Sequence, residues 1–372
     1  MAATTLLGGC GQHPEKQTAS DGSSLIKDVV IHATVRTTGQ YPEQIVISLG
    51  KKLADANLSA EDFSMKGHAD SWMNTSLHEF SSAFEKAELT DTTLTLYPKD
   101  FPEKFFYVKD FTVECSKNSD LHFTYEDVSS VITPVADDFA YIKKEDGPGF
   151  DLRLFTPEST EKMPVVVVFH GFSDTANLLT YRTAVEWAEP ENQKKRPCYI
   201  VAPVIDDATY YTAPGRDKVF EQLKGMLDDM IAEGKADPDR IYVMGNSFGG
   251  MSSVEFGEKY PDFVAGILSL CPALNYSQGA AANIEKIKDI PTRFAHASGD
   301  GTIPVTGTRA AFEALQKAGA KDVDFKEYSD DEMNAAGAEP GKDSTYSYHH
   351  VELAVMEDDS YMEWLYSQVR NH

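Results

Sequence analysis

Gly245-Asn246-Ser247-Phe248-Gly249 sets a serine between two glycines, with Gly250 next in line. The apolar run RIYVMG precedes it, and SFGGMSSVEFGEKYP follows with the pattern of a helix. A sharp turn between a strand and a helix lifts a serine Oγ above the carboxyl edge of a sheet. Small residues on both sides let that turn pack against neighbouring backbone. The positive end of the following helix favours a developing oxyanion. This is the equipment of acyl transfer: a serine nucleophile that needs a base and donors for a tetrahedral oxyanion. The plain alternative is a glycine-rich turn with an incidental serine, so the rest of the apparatus decides.

The stretch VVVVFHGFSD ends a strand in His170-Gly171. Such a loop supplies one oxyanion amide, and the residue after the nucleophile supplies another; the candidates are the N–H groups of Phe172 and Phe248. His170 precedes the serine and reads as a structural residue bonded to loop backbone. The acid and the base must follow the serine in the order carboxylate, then histidine. HASGDGTIPV puts Asp300 after a strand and before a Pro turn. Asp206 and Asp207 come before the serine, and Asp322 and Asp324 flank the start of a strand, so Asp300 is the expected acid. It would fix the imidazole tautomer and stabilise the imidazolium. For the base, His349 and His350 stand in a loop before the last helix, and His372 ends the chain. The spacing leaves His349 and His350 both open.

These residues need a scaffold. From about residue 146, β-runs alternate with helical patterns. FDLRLFTP, MPVVVVF, PCYIVAPVI, RIYVMG, FVAGILSLCPA, PTRFAHASGD and VDFKEYS read as strands. NLLTYRTAVEWAEPE, KVFEQLKGMLDDMIAEG, TRAAFEALQKAG and SYMEWLYSQVR read as helices, the second closed by Gly234. The expectation is an α/β domain over residues 146–372, mostly parallel sheet with helices on both faces. Residues 25–145 read as all-β. DVVIHATVR, EQIVISLG, TTLTLYP, KFFYVKDFTVEC and LHFTYEDVSSVITPV have strand composition and are separated by turn signals. A small immunoglobulin-like β-sandwich is expected there, although the Cys…Trp…Cys hallmark is missing. His32, His68, His78 and His122 are scattered along it and read as ordinary surface or packing residues.

The chain has 372 residues, 41% apolar content and a formal net charge of −25, from 34 Lys+Arg against 59 Asp+Glu. Such a surface favours solubility and repels nucleic acid, whose binding needs cationic contacts to phosphate. None of Cys10, Cys115, Cys198 and Cys271 forms a C-x-x-C pair, which leaves zinc and thioredoxin-like chemistry without support. Cys115, Cys198 and Cys271 read as buried free thiols. Cys10 ends LLGGC, ahead of the polar, Gly/Ser-containing stretch of residues 11–24. LLGGC resembles the lipobox of bacterial lipoproteins, whose cysteine becomes the lipid-modified first residue. That resemblance implies a membrane-tethered or secreted extracytoplasmic protein, with residues 1–24 as tail and linker.

Together, VVVVFHGFSD, WAEPENQKKRPCYIVAP, DPDRIYVMGNSFGGM, HASGDGTIPV and YMEWLYSQ resemble the α/β-hydrolase superfamily. More narrowly, they resemble bacterial esterases that join an N-terminal immunoglobulin-like domain to a prolyl-oligopeptidase-like, predicted-peptidase hydrolase domain. The resemblance covers most of residues 150–370. It implies Ser247 as nucleophile, Asp300 as acid, Phe172 and Phe248 as oxyanion amides, and no metal or organic cofactor. It also places the histidine fifteen residues before the tryptophan of the closing helix, Trp364, which is His349. A one-residue gap would select His350 and put Leu353 in the aromatic slot of the relatives' H-x-x-W. Val204 stands where relatives often carry glutamine, so the substrate pocket is expected to differ. The implied activity is a serine carboxylesterase for small or aromatic acyl esters, with esters decorating plant polysaccharide as one substrate by analogy. The rivals are a serine peptidase of the same fold and a binding protein on an inactive hydrolase scaffold.

Overall fold

The computed structural model describes residues 25–370, apart from 37–38, 54–56, 71–76, 103, 160, 173–176, 277–281 and 339–346. Cys10, the rest of the tail and His372 lie outside the described residues. The chain divides into two compact units, one ending at Asp138 and the other beginning at Phe139. The turn cluster near residue 146 suggested a later boundary. The strand Ala140–Ile142 pairs with Asp151–Phe155, so residues just before the cluster already belong to the second unit.

The first unit is all-β. Its strands are β1 (Ile26–Arg36), β2 (Gly39–Leu49), β3 (Phe63–Asp70), β4 (Leu77–Leu89), β5 (Thr93–Lys99), β6 (Val108–Cys115), β7 (Phe123–Thr124) and β8 (Val128–Ile132). They run in the order β7-β6-β3-β4-β5-β2-β1-β8. β4 is long enough to pair β3 through residues 77–82 and β5 through residues 83–89. Alternation sets the inner face: Val29, Ile31, Ala33 and Val35 of β1 are buried, as are Ile45, Ile47 and Leu49 of β2. Val29, Ile31, Ile45, Ile47 and Leu49 share one core with Phe63, Met65, Phe111 and Val113 from the other end of the strand order. β3 and β4 were not expected from the sequence. They contain no β-branched residue, and β4 buries only Phe80, Ser82 and Phe84 along its length.

The second unit has strands β9 (Ala140–Ile142), β10 (Asp151–Phe155), β11 (Met163–Phe169), β12 (Tyr199–Val204), β13 (Ala236–Asn246), β14 (Gly266–Leu270), β15 (Thr292–Ala297) and β16 (Val323–Tyr328). Their order is β9-β10-β12-β11-β13-β14-β15-β16. The pairs from β12 to β16 are parallel, and β9 and β10 add an antiparallel edge. The helices are α1 (Thr183–Ala188), α2 (Pro190–Lys195), α3 (Asp207–Tyr210), α4 (Ala213–Ala232), α5 (Phe248–Lys259), α6 (Thr306–Lys317), α7 (Asp330–Ala335), α8 (Glu352–Val355) and α9 (Asp359–Ser367).

Central strands are buried on both faces, as their continuous apolar runs require. Val165, Val167, Phe169 and Val243 share a core with Phe220 and Leu223 of α4 and Met251 and Val254 of α5. Met244, one residue further along β13, faces the other way. There the Trp187 indole of α1 donates to its sulfur at 3.1 Å. The single helix expected over NLLTYRTAVEWAEPE is broken, because Glu189 precedes Pro190 and takes an extended conformation (φ −53°, ψ 134°). α4 ends as expected: Gly234 has φ 75° and its N–H reaches the Ile231 carbonyl at 3.0 Å.

α5 carries an unusual acid. Glu258 is buried, and its Oε1 has no partner among the described residues. Burial, with the nearby Glu255 charge, pushes its carboxyl up to about 8, against the opposing pull of Lys286. The unfolded chain releases this proton near the ordinary carboxylate value, while the folded chain holds it until about pH 8. Stability therefore falls as pH rises between those two values. Glu258→Gln is expected to raise Tm by about 2–4 °C at pH 8 and by less at pH 5. Thermal unfolding at both pH values checks this, and an equal change at both would contradict it.

Candidate active site

Ser247 joins β13 to α5 with φ 56° and ψ −119°, a conformation that costs a non-glycine residue about 1–3 kcal/mol. Packed backbone holds it there. Its N–H donates to the Leu270 carbonyl at 2.9 Å, and its own carbonyl accepts from Ala273 and Met251, each at 3.0 Å. The glycines are required by close approach. A Cβ on Gly249 would lie 2.1 Å from the Phe169 carbonyl oxygen, and one on Gly250 would lie 2.6 Å from that of Leu270. The glycines of GNSFGG thus let this turn press between the ends of β11 and β14.

The His170-Gly171 loop is braced from inside. The His170 Nδ1–H donates to the Gly171 carbonyl at 2.6 Å, and Nε2 accepts from the Ile205 N–H at 2.9 Å. The Tyr210 hydroxyl donates to the His170 carbonyl at 2.8 Å. Burial pushes the imidazole down to about 4, so it stays neutral and keeps one donor and one acceptor for these bonds. This loop presents Phe172 beside the elbow. The rings of Phe172 and Phe248, the two residues named for their amides, lie 5.1 Å apart.

Asp300 follows β15 and has no exposed side-chain surface. Its Oδ2 accepts from His349 Nδ1 at 2.6 Å and from His296 Nε2 at 3.0 Å. Its Oδ1 accepts from the amides of Thr302 and Ile303 at 2.8 and 2.9 Å. Burial pushes the carboxyl up, but hydrogen bonds from His296, His349 and the Ile303 amide outweigh it and hold the group well below the usual carboxylate range. An ionised Asp300 on Nδ1 requires the proton at Nδ1 and leaves Nε2 of His349 as the basic nitrogen. His350 does not join this group. Its Nδ1 bonds instead to Glu352 Oε1 at 2.9 Å, and its ring lies against Tyr181.

Cys271 adds a residue the sequence did not place near the chemistry. It is fully buried with φ 36°, just past β14. Its Sγ, an Asp300 oxygen and a His349 nitrogen lie within 4.8 Å of one another. Burial, then the charges of Glu352 and Asp300, pushes the thiol well above its ordinary value, against the pull of the Ser247 and Val351 amides. The Ser247 backbone and the Asp300–His349 pair therefore border the same thiol. Zinc accepts such S, N and O donors. Here it would need a thiolate that burial opposes, and it would have to break the His349–Asp300 bond. The arrangement suits proton transfer at a serine better than a cation. Two further residues escaped the sequence because their signal is aromatic exposure: Tyr211 and Tyr276, 65% and 62% exposed, both pack against the Phe248 ring.

Residues 205–339 match the protein family described as Phospholipase/Carboxylesterase. That stretch holds Ser247 and Asp300 and stops short of His349. NocK of Nocardia uniformis subsp. tsuyamanensis, which carries a provisional esterase name, is 26% identical over 98 residues. The aligned part is 26% of this chain and 28% of NocK, so the chain matches less than a third of that curated relative's length. The crystal structure of a thermostable esterase superposes with a TM-score of 0.69 at 22% identity, over 92% of this chain and 100% of that chain. The likeness shows a common fold.

Labelling by a fluorophosphonate probe tests the geometry. His349→Ala is expected to slow labelling by roughly 10³-fold or more, as loss of a triad base does. His350→Ala is expected to leave the rate within about tenfold, because its partner is Glu352. The opposite order would transfer the base to His350.

Proposed function

We propose that this chain, an α/β-hydrolase, is a serine carboxylesterase for small or aromatic acyl esters. The observation that carries the proposal is the strained Ser247 elbow beside the buried His349–Asp300 hydrogen bond. Ser247 Oγ attacks the ester carbonyl carbon while His349 Nε2 takes its proton. The carbonyl oxygen becomes an oxyanion that accepts from the Phe172 and Phe248 amides. Collapse breaks the bond to the alcohol oxygen, which leaves with the proton from Nε2. Water then attacks the acyl-enzyme, giving a proton to Nε2, and the second collapse returns that proton to Ser247. Asp300 holds the imidazole tautomer throughout and balances the imidazolium charge.

The aromatic surroundings support the substrate class. Phe172, Tyr211 and Tyr276 have ring centroids 5.1, 6.4 and 6.2 Å from that of Phe248, the residue after the proposed nucleophile. Aromatic faces of this kind favour flat acyl groups by stacking. The LLGGC stretch supports a lipid tether through Cys10 at an extracytoplasmic face. Incorporation of a clickable fatty acid by the full chain, lost in Cys10→Ser, is the expected outcome.

An ester panel tests the activity. p-Nitrophenyl acetate, p-nitrophenyl butyrate and a feruloyl ester are expected to turn over at least about 100-fold faster than an aminoacyl anilide, in keeping with an ester-selective site. Tyr211→Ala and Tyr276→Ala are expected to raise KM for the feruloyl ester more than for the acetate. Peptide or anilide turnover above ester turnover would overturn the proposal in favour of a peptidase.

A further inference from the structure

We propose that His296 is a positioning residue for the proton relay, holding the Asp300 oxygen that receives His349. The inference rests on the esterase reading above and names a residue that reading does not use. His296 lies in β15 and has no solvent exposure. Its Nε2 sits 3.0 Å from both Asp300 Oδ2 and the Ile303 carbonyl oxygen. Both partners are acceptors only, so Nε2 carries the hydrogen. Its Nδ1 lies 2.8 Å from the hydroxyl of Thr308, on α6, also fully buried. The threonine therefore fixes the ring from the far side.

A histidine that merely fills a core has no need to spend its one N–H on the acid of a relay. Here that N–H is shared between the Ile303 carbonyl and the same oxygen that takes His349 Nδ1 at 2.6 Å. A carboxylate offers about four acceptor sites. In Asp300 all four are taken, two by backbone amides and two by imidazoles, so the carboxylate cannot rotate. The charge on Oδ2 is divided between two donors. Removing the His296 donor leaves that charge to His349 alone, and an undivided charge favours the imidazolium. Among the described residues, other titratable groups near these rings are Cys271, which borders Asp300 and His349, His350, whose ring is 6.3 Å from His349, and Glu327 of β16, which is near enough to feel His296 and is itself paired with Arg309. None of them replaces the lost donor on Oδ2.

The test compares three variants with wild type. His296→Leu removes the donor, and His296→Gln keeps an N–H near the Nε2 position. Thr308→Val keeps the ring and removes the hydroxyl that fixes it. In His296→Leu the acid limb of the kcat/KM–pH profile is expected to move up by about half to one pH unit, the size of a lost hydrogen bond to a charged group transmitted in part. His296→Gln is expected to return the limb most of the way, and Thr308→Val to move it by less in the same direction. If His296→Leu does not fold, the shift in Thr308→Val decides. The downfield proton NMR resonance of His349 Nδ1–H should move in the same order and needs no turnover. A uniform loss of activity or Tm, with limb and resonance unmoved, would leave His296 as core packing and overturn the proposal. Fluorophosphonate labelling of wild type separates the two readings. Absent labelling sinks the esterase, while normal labelling with an unmoved limb and resonance sinks only the role of His296.

Discussion

A carboxylate buried without side-chain exposure must either give up its charge or be surrounded by donors. Asp300 takes the second course with four N–H groups, two from the turn that follows it and two from histidines in different parts of the chain. This one solvation problem ties together β15, α6 through Thr308, and the segment that carries His349. It also fixes a proton. An anionic Asp300 holds the hydrogen of His349 at Nδ1 and leaves the other nitrogen as an acceptor.

The serine is held by a different kind of constraint. Its backbone lies outside the regions comfortable for residues other than glycine, and its conformation is kept by hydrogen bonds to Leu270 and Ala273. Those partners flank Cys271, which has a positive φ as well. Two strained residues in contact at the carboxyl edge of a parallel sheet are a concentrated cost, of the kind found where geometry serves a reaction. The packed strands and helices beneath, nearly all apolar and buried, are what can hold that strain in place.

Much of this was legible in the chain. Continuous apolar runs marked β11 and β12, and helical spacing marked α4 and α6, because burial on two faces and on one face leave different periods. The second unit was therefore readable in its central strands and longer helices, while β9, α3, α7 and α8, each three to six residues long, escaped. The first was readable only where β-branched residues cluster. β3 and β4 escaped because FSMKGHAD and LHEFSSAFEKAEL owe their extended form to neighbours on either side and not to their own composition. The division of NLLTYRTAVEWAEPE at Pro190 was available from the sequence, since proline restricts the residue before it.

At the candidate site, the features that depend on local backbone were legible in the residues: the turn at Ser247, whose glycines admit no side chain, the His170 loop, and the order of serine, aspartate and histidine. Which of His349 and His350 bonds to Asp300 was left to tertiary structure. Both imidazoles find a carboxylate, Asp300 for the first and Glu352 for the second. Adjacent side chains leave a short turn in different directions, and which one faces the acid depends on where the turn Ser347–His349 and α8 are pinned against the sheet. His296 and Cys271 lie beside Asp300 for the same reason. Their positions come from distances across the fold, which no spacing along the chain encodes.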